Sequence, residues 1–133
     1  MIVFGIILVG LAGFFKAVMD KLQFHWHRSI FAVNPVRYRE LFWNPEISWA
    51  NKYEVGTNYK VEKFKFSTTL LVFLTDAWHL AQMSMTLLLF VGIGLVGYSS
   101  DSFFELILYV SSARVLYGVV FELSFKHLLE YNG

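Results

Sequence analysis

Apolar residues fill three long stretches of the chain. The first runs over residues 2–20, where only Lys16 and Asp20 are charged, both near its end. The second spans about 66–98, and from Leu87 to Tyr98 it holds no polar side chain except the closing Tyr. The third runs from about 103 to 129. Each is long enough to cross a hydrocarbon core of ~30 Å as a helix rising ~1.5 Å per residue. The second is longer than one crossing needs. Its polar residues, Ser67 to Thr86, all lie in the first two-thirds. Phe66–Ala77 is therefore expected to project beyond the core, and Trp78–Tyr98 to span it.

Residues 21–65 have a different pattern, with aromatic and charged residues alternating. Two Asn-Pro pairs, Asn34-Pro35 and Asn44-Pro45, supply a helix cap followed by a residue suited to the first helical position. They predict short helices near 35–42 and 45–54, lying along a membrane surface. Val55-Gly56-Thr57-Asn58 predicts a turn. Ser99-Ser100-Asp101 is a tight connection, and Ser102-Phe103-Phe104-Glu105 matches a capping box at the start of the third span. A short loop should place the second and third spans antiparallel. The expected fold is a single domain over 1–133. It is an all-α integral membrane protein with three transmembrane helices and short interfacial amphipathic helices between the first and second.

Composition agrees with this pattern. Of the 133 residues, 56% are hydrophobic and 16% charged, where a soluble domain carries roughly 25% charged residues. Aromatics reach 19%, in keeping with helices packed in lipid and Trp or Tyr at its boundaries. The start, Met1 to Gly5, lacks the positive charge of a cleavable leader, so the first stretch reads as a retained span. Eight of the 11 Lys and Arg fall within 21–65: Lys21, Arg28, Arg37, Arg39, Lys52, Lys60, Lys63 and Lys65. Positive loops stay cytoplasmic. This segment and the C-terminus are expected inside, and the N-terminus and the 99–101 loop outside. The absence of Cys excludes disulfides and thiolate chemistry. A net charge of +1 and the lack of a basic arm argue against nucleic acid.

The glycines of Gly92-Ile93-Gly94-Leu95-Val96-Gly97 lie inside an apolar helix with no strand before them, so they predict helix packing rather than a dinucleotide site. The same holds for Gly5, Gly10, Ala12, Gly13 and Ala17. Ser67-Thr68-Thr69 is expected to cap the second element.

Ionisable groups inside spans carry more information, because they are costly there and usually face protein or water. If the second and third spans form a hairpin with its tip near Ser100, His79 comes level with Phe121, beside Glu122. Asp76, three residues before His79, shares its helix face. Asp76, His79 and Glu122 should then converge at the cytoplasmic end, within reach of His25 and His27. Such donors suit a divalent metal, Zn, Fe or Mn. The single Asp-x-x-His resembles half the carboxylate–histidine pattern of di-iron helix bundles, which carry Glu-x-x-His twice. Simpler roles compete: a hydrogen-bonded Asp76–His79 pair, a Glu122 bridge to Lys16 or Lys126, and interfacial histidines. Arg114 falls near the membrane middle, where Thr86, Ser111 and Ser112 are weak partners. It calls for a contact from a second subunit or an anion.

The leading expectation is a subunit or scaffold of a membrane assembly, in contact with lipid and either homo-oligomeric or joined to other subunits. The alternative is a metal-dependent enzyme acting on a lipid or membrane-borne substrate, with Asp76, His79 and Glu122 as catalytic candidates. A third is a pore or non-covalent haem carrier using His79 with His127 or a loop histidine.

Overall fold

The computed structural model describes residues 1–33 and 37–131. Helix α1 covers Ile2–Phe24. After a 3-10 turn at Trp26–Arg28 come three short helices: α2 (Ile30–Val33), α3 (Arg37–Trp43) and α4 (Pro45–Ser48). Helix α5 covers Ala77–Ser99, and α6 covers Phe103–Leu123 before ending in a π-helical turn, Ser124–Leu128. No strand forms among the described residues beyond two isolated bridges, Ser29 with Glu130 and Tyr53 with Glu62. Among the described residues three helices are long and apolar enough to cross a membrane: Ile2–Phe24, Ala77–Ser99 and Phe103–Leu128.

The second span begins later than expected. Residues 66–76 are not α-helical but form turns and a 3-10 segment at Val72–Leu74. Side chains there bond to local backbone and compete with a helical ladder. Thr75 donates its hydroxyl to the Val72 carbonyl, and Ser67 donates its hydroxyl to Lys52 rather than capping a helix. The helix starts where Asp76 caps it. The 45–54 helix is also shorter: α4 gives way to a 3-10 turn at Trp49–Lys52, and Tyr53 is extended. Asn44 caps α4 as its sequence predicts, accepting from the Glu46 amide at 3.0 Å. The first Asn-Pro pair lies outside the described residues. At α6 the Ser102 hydroxyl accepts from the Glu105 amide, and the Glu105 carboxylate accepts from the Asp101 amide one residue before the cap.

α5 and α6 scarcely touch. α1 lies between them and packs along both. Its small residues permit this on two sides. Gly5 meets Gly92 of α5 so closely that a Cβ on either would stand 2.8 Å from the other's carbonyl oxygen. Gly10 and Gly13 face Leu116 and Tyr117 of α6. Gly94 and Gly97 face open space, so of the three glycines in the apolar run only Gly92 serves packing.

The best-buried core gathers at one end, where Ala17, Val18, Met19 and Leu22 of α1 meet Ala77, Ala81 and Leu129. The connecting segment folds onto it through Trp26, Phe31, Phe42 and Trp43, with Phe31 and Trp43 stacked at 4.6 Å. At the other end and along the flanks, large apolar side chains such as Phe90, Tyr98, Phe103 and Phe104 are exposed. That is the surface expected of a multi-pass membrane protein.

Candidate functional site

At the start of α5 Asp76 is buried and its extended backbone places its carboxylate over the first helical turn. One oxygen accepts the His79 amide at 2.9 Å, and the other meets His79 Nδ1 at 2.7 Å. A carboxylate accepts and does not donate, so the proton of this contact sits on Nδ1. In the neutral imidazole Nε2 then keeps its lone pair, ready to take a proton, a metal or a hydrogen bond. The ring is one-third exposed, and Trp78 stands edge-on to it while donating its indole N–H to Gln23 of α1 at 3.2 Å.

The other residues expected at this site lie elsewhere. Glu122 is on the exposed flank of α6 and pairs with Lys126 at 2.6 Å. The hairpin geometry that was to bring it beside His79 fails because α1 separates α5 from α6. His25 packs edge-on against Phe125, with ring centres 5.2 Å apart. His27 is exposed, 3.7 Å from Glu46. Among the described residues no three His, Asp or Glu side chains are grouped to hold a metal ion.

Arg114 lies midway along the third long helix, on an exposed flank. It borders two open cavities. One, of about 390 Å³, is the groove between α5 and α6, lined by Val9, Leu89, Ile93, Val96 and Tyr117 among others. The second runs along α6 past Gly118 to Glu122. The guanidinium lies 5.4 Å from the Tyr117 ring centre, and among the described residues no carboxylate reaches it.

A second charged node joins residues far apart in the sequence. Lys21, one turn before the end of α1, is buried and pairs with Glu130, which also holds Arg28 at 2.7 Å. The Lys21 ammonium lies 4.1 Å from the Phe125 ring centre. Backbone bonds from Ile30 to Leu129 and from Tyr131 to Arg28 fasten the C-terminal segment beside it. Nothing local in the sequence announces a pair this far apart.

In the connecting segment Glu62 lies under a turn. It accepts from the Thr68 hydroxyl and from the amides of Phe66 and Thr68. The Thr68 hydroxyl bond, more than the amide bonds, holds the Glu62 carboxyl below its ordinary range.

Comparison of the chain with known protein families, with characterised proteins and with solved structures finds no match.

Proposed function

We propose that the chain is a three-span membrane protein that serves as a subunit or scaffold of a larger membrane assembly. Its third long helix would receive a transmembrane helix of another protein. The observation that carries this reading is Arg114. On insertion scales an arginine at the middle of a span costs ~2.5–3.5 kcal/mol, and such residues pair inside a bundle or line a wet cavity. Among the described residues of one chain Arg114 meets no carboxylate, and the two grooves it borders are lined mostly by apolar side chains that do not pair its charge.

The partner is more readily a different protein than a second copy. Around a two-fold axis along the membrane normal, copies meet at equal depth, so Arg114 would face its own equivalent. This chain's carboxylates sit toward the helix ends, and Glu122 is two turns away. A partner helix with a carboxylate at the depth of Arg114 satisfies the charge.

The test places a photo-crosslinking residue at Val115 or Val119, with Phe90 on α5 as the control position. The expected result is one membrane-protein adduct from the α6 positions, abolished by Arg114→Leu. Arg114→Glu should restore it when the partner carboxylate is exchanged for Lys. No α6 adduct in native membranes, or an adduct indifferent to Arg114, overturns the proposal.

A second reading rests on the Asp76–His79 pair, whose free Nε2 suits a metal ligand or general base in an enzyme for a membrane-borne substrate. Zn, Fe or Mn would need further donors from water, substrate or a partner. Elemental analysis of the purified protein decides it. A metal equivalent lost in Asp76→Asn/His79→Gln supports the enzyme, and a metal-free wild type removes the metal-dependent form.

A further inference from the structure

Where α1 ends, three pieces of the chain border an open cavity of about 330 Å³, lined by Lys21, His25, Arg28, Phe125, Lys126 and Glu130. Lys21 comes from the last turn of α1 and His25 from the residue that caps it, Arg28 from the 3-10 turn after it, Phe125 and Lys126 from the π-helical turn and Glu130 from the segment that follows. The backbone bonds between residues 28–30 and 129–131 hold these pieces together, so the walls are built rather than incidental.

The charges in this cavity do not balance. Lys21 and Arg28 share one carboxylate, Glu130. Lys126 is engaged by Glu122, which does not line the cavity. Among the described residues three cations thus face two carboxylates, leaving an excess of one positive charge. Donors are also left over. Lys21 is only 1% exposed and is committed to Glu130, but the Arg28 side chain is 74% exposed and meets Glu130 through one nitrogen. A guanidinium carries five N–H donors in a planar fork, so the remainder of Arg28 is open to a second anion. Lys126 and the His25 ring stand on the same rim.

Depth narrows the ligand. Lys21 lies about 29 Å along α1 from its start at ~1.5 Å per residue, which is one hydrocarbon thickness. In a membrane this is the level where apolar chains give way to phosphate. The Phe125 ring on the cavity wall suits that boundary, apolar on one side and cationic on the other.

We propose that this cavity binds a phosphate group, presented by an anionic lipid headgroup or by a soluble phosphate ester, with Arg28 and Lys126 as direct donors. Lys21 and Glu130 position Arg28 and close the floor. The competing explanation is a latch that only ties the C-terminal segment to α1, and that latch has no use for Arg28's outward donors.

The full chain is reconstituted in nanodiscs of neutral phosphatidylcholine, with or without phosphatidic acid. Bound lipid is read by native mass spectrometry, and stability by the melting temperature. The expected result is retention of phosphatidic acid and a raised melting temperature. Arg28→Gln and Lys126→Gln should each weaken retention about tenfold, the loss of one charge-assisted hydrogen bond. Lys60→Gln and Lys65→Gln, equally basic positions outside the cavity, should leave retention unchanged. Both cavity positions are exposed, so these variants should fold; an unchanged melting temperature in neutral discs verifies it. Inorganic phosphate and glycerol phosphate added to neutral discs form the second arm. Stabilisation by these, lost in the same two variants, supports the site and assigns it to soluble phosphate. No stabilisation in either arm overturns the proposal, as does a loss of retention that Lys60→Gln and Lys65→Gln share.

Discussion

Asp76 caps α5 and fixes the His79 ring with one buried carboxylate, and the two tasks separate by substitution. Asp76→Ala removes both contacts and should destabilise the protein by about 1–2 kcal/mol, in the range for a lost helix cap with a buried partner. Asp76→Asn keeps an oxygen for the His79 amide and should retain more than half of that stability, as read by unfolding in mixed micelles. If the two variants are equally unstable, the cap is not the stabilising element. Glu62 offers a pH test. Its carboxyl titrates below its ordinary value of 4.5, because the Thr68 hydroxyl and then two amides favour the charged form. The contribution is therefore present above that value and is lost as pH falls through the lower, folded one. Protection of the Thr68 amide, taken relative to its intrinsic exchange rate at each pH, should fall below about pH 4.5, and Glu62→Gln should flatten that dependence. At this scale the sequence was partly legible. The spacing of Asp76 and His79 announced their contact, and Ser102 with Glu105 announced a cap. Lys21 and Glu130 could not be paired by reading, since nothing periodic joins positions 109 apart.

Long apolar runs fixed the existence of the three long helices, but local hydrogen bonding set where they begin. Thr75 and Asp76 bond their own neighbourhood, so α5 starts at Ala77 although apolar residues continue before it. Packing order was less legible still. A short loop joins α5 to α6, yet small residues on two sides of α1 let it enter between them. That arrangement predicts opposite outcomes for the same substitution. A Cβ on Gly13 runs into the Tyr117 carbonyl oxygen, a backbone atom that cannot turn aside. Gly13→Ala should cost about 1–3 kcal/mol by overpacking. Gly97 faces open space, and Gly97→Ala should be neutral or stabilising by up to ~1 kcal/mol through its helix propensity. Equal effects at the two positions would mean that α1 does not sit between α5 and α6.

At the scale of the whole molecule, the two ends of the bundle differ in kind. One carries the folded connecting segment, the aromatic core and most of the cations, and the other a bare loop at 99–101 flanked by Tyr98, Phe103 and Phe104. Lys and Arg are retained on the cytoplasmic side during insertion, so the charge asymmetry argues for the connecting segment inside and the loop outside. This orientation would also put the phosphate cavity on the leaflet where anionic lipids are concentrated. The chain has no Cys, so a single introduced cysteine reports its own side without background. Val55 is 95% exposed at a turn of the connecting segment, and Asp101 is exposed on the opposite loop. A membrane-impermeant maleimide should label Asp101→Cys on intact cells and label Val55→Cys only after permeabilisation. The reverse pattern would invert the topology and place the cavity on the outer leaflet, where only a soluble phosphate or an uncommon lipid could fill it. Labelling of both sites on intact cells would mean that the three helices do not cross the membrane in series, and Arg114 would then not lie at mid-depth and would need no partner there.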